Sequence, residues 1–325
     1  MLRKLATSLL VALALVFLAN CRHQPSKPAP ADGKIRVAAT IFPLADVIRN
    51  IGGQDVEVFC LLGPGQSEHD FQPTAQHAES LAGAKLVVLV GLGSDEWAMP
   101  AIRATASGAR LLRLGEGVEP LAAQEEVEGH EAHDEGDDHE SPDANHGHGH
   151  DHGNLTGDPH VWLDPVLMQT FVTRIAEEFS QIDPPHAGQY AQRRDAYLAE
   201  LRKLDEEYRT ALGGLKHREF VTFHAAFNYI AQRYGLRQLS LHNVDAAGFD
   251  PQHLEDVMQF VKEHQIKAIF AEPQYPSEKL QMLADAAGVS VGKLDPLGEP
   301  GMSGYDSYLA MMRSNLKSLA AALKD

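Results

Sequence analysis

Short runs of apolar residues alternate along this chain with stretches whose apolar positions recur every three or four residues, and the alternation stands on both sides of a central polar tract. The first pattern predicts buried strands and the second amphipathic helices. In the first half, strands are expected near Ile35–Thr40, Val56–Leu61, Leu86–Gly91 and Arg110–Leu114, with helices near Leu44–Ile51, Ala75–Ala84 and Glu96–Thr105. In the second half, strands are expected near Glu219–Phe223, Gln238–Leu241, Ala268–Ala271 and Val289–Leu294, with helices near Ala225–Tyr234, Pro251–His264, Ser277–Ala286 and Tyr305–Leu323. Apolar strands separated by helices read as βαβ units with parallel pairing. The expected fold class is therefore α/β, with two small lobes of mostly parallel sheet.

Between the lobes, Asp164–Leu215 carries no strand signal and holds two helical patterns broken at Asp183-Pro184-Pro185. The second, from about His186 to Leu212, sets Tyr190, Tyr197, Leu201, Leu204, Tyr208 and Leu212 at helical spacing with charges between them. At ~1.5 Å per residue it would run about 40 Å, enough to cross both lobes. An ordinary helix inside one domain is the alternative. The expected division is 1–20 leader, 21–33 tether, 34–183 first lobe with a polar loop over about 122–157, 184–215 interlobe helix, and 216–325 second lobe.

The amino terminus changes where this protein is expected to work. Arg3 and Lys4 precede an apolar run, Leu9–Leu18, of signal-peptide size. Leu18-Ala19-Asn20-Cys21 resembles the lipobox of bacterial lipoproteins, in which the cysteine is acylated, although Asn20 departs from the usual small residue. The Pro-rich Cys21–Pro30 stretch suits a tether that holds a body near a membrane. Export and a lipid anchor on Cys21 are thus expected. Cys60 then stands alone, which excludes a disulfide, and its place in an apolar run marks a small buried hydrophobe. The roughly 300 residues that remain exceed what one hydrophobic core usually supports.

Charge narrows the partners. The 28 Lys and Arg against 45 Asp and Glu give a net charge of −17, which argues against nucleic acid or anionic lipid. Eleven of those acids fall in Glu125–Asp151 without one Lys or Arg, so the rest of the chain is only mildly acidic. Seven of the seventeen histidines (His130, His133, His139, His146, His148, His150 and His152) lie in or beside the same tract. Interleaved imidazoles and carboxylates read as a low-affinity metal-collecting loop, with a solvated low-complexity loop as the alternative.

Three further histidines stand where a strand has ended or a helix is about to begin: His69 after the second strand, His160 in Asp158-Pro159-His160, and His224 directly after Glu219–Phe223. Ligands of open α/β sheets gather at the carboxyl ends of strands, where residues distant in sequence converge. Asp295, after the last strand, is the expected fourth member, and three imidazoles with one carboxylate suit tetrahedral zinc. Glu68 is an alternative carboxylate or a loop acid. Glu272 either orients an imidazole through its ring N–H or is an exposed acid before Pro273. His242 is read as a loop residue; His77, His186, His217, His253 and His264 are read as facing solvent.

Glu68-His69-Asp70, Asp158-Pro159-His160-Val161-Trp162-Leu163, Phe223-His224-Ala225-Ala226-Phe227, Phe270-Ala271-Glu272-Pro273-Gln274 and Leu294-Asp295-Pro296-Leu297-Gly298 together resemble, in order, the motifs of the zinc/manganese solute-binding proteins of bacterial ABC importers, of the zinc-uptake ZnuA type. The resemblance runs from about Ile35 to the end. It implies two α/β lobes joined by one long helix, a metal in the cleft between them, and His69, His160, His224 and Asp295 as ligands. It also implies a monomer that delivers its ion to a membrane permease driven by an ATPase. Manganese-binding relatives tend to carry a carboxylate where this chain has His224, so Zn²⁺ is expected over Mn²⁺. Ala247-Gly248-Phe249-Asp250-Pro251 departs from the pattern of many relatives. Two other classes stay open: a zinc hydrolase with Glu68 as general base, opposed by the absence of His-Glu-x-x-His, and an extracytoplasmic zinc buffer or adhesin.

Overall fold

The computed structural model describes residues 33–69, 71–122, 157–241 and 258–324. The expected leader, Cys21 and its tether, the histidine tract, His242, His253 and the start of the helix expected at Pro251–His264 lie outside the described residues; residues 258–263 of that helix are helical.

Two four-stranded sheets, all parallel, repeat one topology. β1 (Ile35–Ala39), β2 (Val56–Cys60), β3 (Leu86–Leu89) and β4 (Arg110–Arg113) lie in the order β2-β1-β3-β4. β5 (Glu219–Thr222), β6 (Arg237–Ser240), β7 (Ala268–Ala271) and β8 (Ser290–Lys293) lie in the order β6-β5-β7-β8. β1 and β3 are buried at every position, which is why their sequences run apolar without alternation. Strand order reverses between β1 and β3 and again between β5 and β7, so each sheet opens a crevice beyond those strand ends.

The helices of the first lobe are α1 (Phe42–Gly52), α2 (Ala75–Leu81) and α3 (Met99–Thr105), the last entered through one 3-10 turn at Glu96–Ala98. Two helices follow, α4 (Pro165–Ile182) and α5 (Ala187–Gly213), and the second lobe adds α6 (Asn228–Tyr234), α7 (Glu278–Ala287) and α8 (Tyr308–Ala322). Asp164 caps α4 by accepting from the Val166 and Leu167 N–H groups, with Pro165 at its first position, where the missing N–H costs nothing. The expected helix at Ala225–Tyr234 begins only at Asn228, because residues 224–227 form a turn closed by Ala226 N–H donating to His224 O.

α5 spans 27 residues, and its buried stripe is Tyr190, Tyr197, Leu201, Leu204, Tyr208 and Leu212. It touches both lobes. Near its start Arg193 donates to Gly52 O at 2.7 Å and Asp55 Oδ2 at 2.8 Å; near its end the Tyr208 hydroxyl donates to Met312 O at 2.7 Å. One continuous apolar core links the inner faces of both sheets through α1, α4, α5 and α8, and includes Ile48, Val88, Phe171, Leu204, Phe220 and Met312. Smaller clusters cover the outer face of each sheet. The lobes are thus separate sheets fused by a shared core, rather than two cores on a string.

Candidate metal centre

β2 hands the chain to the site through a braced loop. Leu61 and Leu62 N–H donate to Ala39 O and Thr40 O, extending the β1–β2 pairing by two residues. The turn that follows is closed by Gly63 N–H on Gln66 Oε1 at 2.7 Å and passes through Gly65 at φ 68°, which only glycine adopts without strain. Beyond the site Phe71 is buried edge-on against Trp97, with ring centres 4.6 Å apart. Glu68, 2% exposed, and His69 are held between these two anchors.

β5 delivers His224. Its carbonyl accepts from the Thr222 hydroxyl at 2.6 Å and from Gln238 Nε2 at 2.9 Å, and Gln238, buried on β6, also accepts Phe227 N–H through Oε1 at 2.7 Å. Glu272, at the end of β7 and 2% exposed, accepts the His224 backbone N–H at 3.1 Å. Its other oxygen lies 2.6 Å from His224 Nδ1, in close contact but off the line of a straight hydrogen bond. The acid and the histidine thus occupy the crevice where the second sheet reverses order.

His160 arrives on the segment before α4. Asp158 Oδ1 accepts both its backbone N–H at 2.9 Å and its ring Nδ1–H at 2.7 Å. That bond fixes the tautomer and turns Nε2 the other way. Trp162, two residues on, donates its indole N–H to Pro296 O at 2.7 Å, while the Tyr308 hydroxyl donates to Trp162 O at 2.8 Å.

The result is one cluster among the described residues: Glu68, His69, His160 and His224 each offer a donor atom, all within 4.8 Å of one another. The three ring centres stand 5.5, 5.4 and 5.2 Å apart. Three imidazoles on one tetrahedral zinc at ~2.0–2.1 Å would have ring centres roughly 5 Å apart. Glu68 Oε1 is 3.6 Å from His160 Nε2 and 3.8 Å from His69 Nε2, too far for hydrogen bonds and close to the spacing of ligands around one ion. Glu68 Oε1, His160 Nε2 and His224 Nε2 are buried without a hydrogen-bond partner. Each such group costs about 1–3 kcal/mol, so three at one point form a place built for a cation rather than for a core.

The charges agree. Burial pushes the Glu68 carboxyl upward, but the surrounding imidazoles of His160, His69 and His224 outweigh it and bring it to about 2. Burial pushes His160 downward, but Asp158 and then Glu68 outweigh that and raise it to about 10. Both shifts favour the charged forms, so the pocket's acids attract positive charge to this point.

Asp295 does not join this group. It is buried after β8, and its Oδ1 accepts from Leu297 N–H at 3.1 Å, Gly298 N–H at 2.8 Å and Gln274 Nε2 at 3.2 Å. One oxygen of the carboxylate expected as fourth ligand is thus engaged in its own turn, and Glu68 is the carboxylate that stands with the three histidines. Of the other histidines, His77 accepts the Thr74 N–H in a capping box, His186 pairs with Asp183 and His264 with Glu219. Asp158 is an orienting group not expected from the sequence patterns above; its place two residues before His160, with a proline between, is the one signal of it in the chain.

The family model for the zinc-uptake complex component A, periplasmic, matches residues 37–322. The zinc-binding protein AdcA of Streptococcus pyogenes is 32% identical over 315 residues, which cover 96% of this chain and 60% of AdcA, so the chain spans about three fifths of that relative's length. A deletion mutant of ZnuA crystallised with zinc superposes with a TM-score of 0.73 at 26% identity, covering 90% of this chain and 99% of the other. The periplasmic zinc-binding protein TroA of Treponema pallidum superposes with a TM-score of 0.72 at 25% identity, covering 90% and 100%. Two parallel-sheet lobes with the expected motifs in order, joined to a match over nearly the whole described chain, place this protein in the zinc-uptake complex component A family.

Proposed function

We propose that this chain captures Zn²⁺ outside the cytoplasmic membrane and presents it to the permease of an ABC importer driven by a cytoplasmic ATPase. The observation that carries the reading is that buried donor atoms of Glu68, His160 and His224, which have no hydrogen-bond partner of their own, converge at one point beside His69. Three nitrogens and one oxygen suit zinc and disfavour manganese, which prefers oxygen donors. Four protein ligands leave no coordination position for a substrate, and Glu68, as a ligand, is not free to act as general base. Both points favour a carrier over a hydrolase. His69 is the ligand on the solvent side, its side chain 22% exposed where His160 and Glu68 are 6% and 3%. The ion would enter past it. The histidine tract would raise local metal concentration through weak sites, and a lipid on Cys21 would keep the protein at the membrane that carries its permease.

Deleting the gene in its native cell tests the proposal. Uptake of radioactive zinc under zinc limitation should fall and return with the wild-type gene but not with His160→Ala. Uptake unchanged by the deletion would contradict the importer role.

A further inference from the structure

Asp158 does more than orient an imidazole. Its Oδ1 holds the ring and backbone of His160, while Oδ2 accepts from Asn228 Nδ2 at 2.9 Å. Its backbone carbonyl accepts from the Tyr229 hydroxyl at 2.8 Å, and that hydroxyl in turn accepts the Leu121 N–H at 3.2 Å. Asn228 and Tyr229 are the first two residues of α6, in the second lobe, 5% and 4% exposed. Farther along α6, Arg233 pairs with Asp164 at the other end of the same segment, and Trp162 reaches Pro296.

The segment that presents His160 is therefore fastened to the second lobe at both ends and in the middle, although in sequence it continues the first. His224 lies four residues before the start of α6 and rides on the turn that leads into it. We propose that Asn228, with Tyr229 beside it, is a positioning residue for the metal centre: acting through Asp158, it locks His160 to the second lobe, so that the ion is held by a His160–His224 pair from one lobe and a Glu68–His69 pair from the other. Separation of the lobes would then divide the ligand set two and two, and each half alone would be a weak site. This rests on the reading of the cluster as the zinc site.

The test is a double-mutant cycle on zinc affinity in the full chain, measured by competition with a chromogenic chelator, with Asn228→Ala, His160→Ala and both together. Partners that act through one ligand are strongly non-additive. Losing an orienting group behind a metal ligand costs on the order of 10–100-fold in affinity. Asn228→Ala should therefore weaken zinc by that range in the wild-type background and by almost nothing once His160 is gone. Cobalt bound to the Asn228→Ala protein should show an altered visible spectrum, which a purely packing role would leave unchanged. If Asn228→Ala fails to fold, Tyr229→Phe, which removes one hydroxyl and keeps the ring, should show the same pattern with a smaller loss. An equal loss in both backgrounds, or none in either with an unaltered cobalt spectrum, overturns the inference. If instead His160→Ala leaves zinc affinity intact, the assignment of the zinc site itself fails.

Discussion

At the scale of single residues, the sequence favoured Asp295 over Glu68 as the carboxylate of the centre, whereas Glu68 is the one that stands with the three histidines. Asp295 lies two residues beyond β8 and Glu68 in the loop after β2, and spacing alone could not decide between them, because a ligand and a turn-former look alike until their hydrogen bonds are counted. Glu68 Oε1 has no partner, whereas Asp295 Oδ1 has three. Glu68→Gln should therefore weaken zinc binding by about a hundredfold or more, as expected when a charged ligand is lost. Asp295→Asn should leave the affinity within a few-fold and instead lower the melting temperature, since it weakens a buried turn. Calorimetric titration beside thermal melting of both variants checks this; equal affinity losses would return Asp295 to the ligand set. Protons follow the same geometry. His160 is raised to about 10 in the metal-free centre, so it stabilises the empty fold fully below its ordinary pKa of about 6.5, and that contribution fades as pH rises toward 10. Glu68, lowered to about 2, contributes above its ordinary value of 4.5 and loses that contribution as pH falls toward 2. Zinc takes the place of the His160 proton, so zinc affinity should keep rising with pH well above neutrality rather than level off beyond 6.5. Chelator competition from pH 6 to 9 would show it, and a plateau above pH 7 would contradict it.

At the scale of elements, strand and helix positions were legible because buried parallel strands leave continuous apolar runs and α5 leaves a stripe of Tyr and Leu at helical spacing. The ends were less so. Phe223 and residues 224–227 looked like the close of a strand and the start of a helix, but Gln238, distant in sequence, holds them in a turn, and that turn is what aims His224. The α1–α5 contact shows the same limit. Gly53 ends α1 at φ 59°, and a Cβ there would stand 2.5 Å from Arg193 Cζ, the very side chain that ties α5 to Gly52 and Asp55. Gly53→Ala should cost about 1–3 kcal/mol in urea unfolding, through strained backbone and a displaced Arg193. A neutral substitution would mean that α5 is not fastened there.

At the scale of the whole molecule, two lobes of parallel sheet were foreseeable from the repeated strand–helix alternation, but their identical strand order and their fusion into one core were not. Chain length argued for two cores, whereas α4, α5 and α8 insert between the sheets and make their inner faces continuous. A molecule built this way resists a wide hinge, so loading and release would turn on small shifts that part the Glu68–His69 side of the centre from the His160–His224 side. That picture stands or falls on where the ion sits. The most direct measurement is an anomalous-difference map at the zinc edge from crystals of the protein loaded with one equivalent of zinc. The account predicts one strong peak in the interlobe cleft, ~2.0–2.2 Å from Nε2 of His69, His160 and His224 and from a Glu68 oxygen, with Asp295 still closing its turn. A peak that Asp295 ligates in place of Glu68, or one lying outside this cluster, would contradict it.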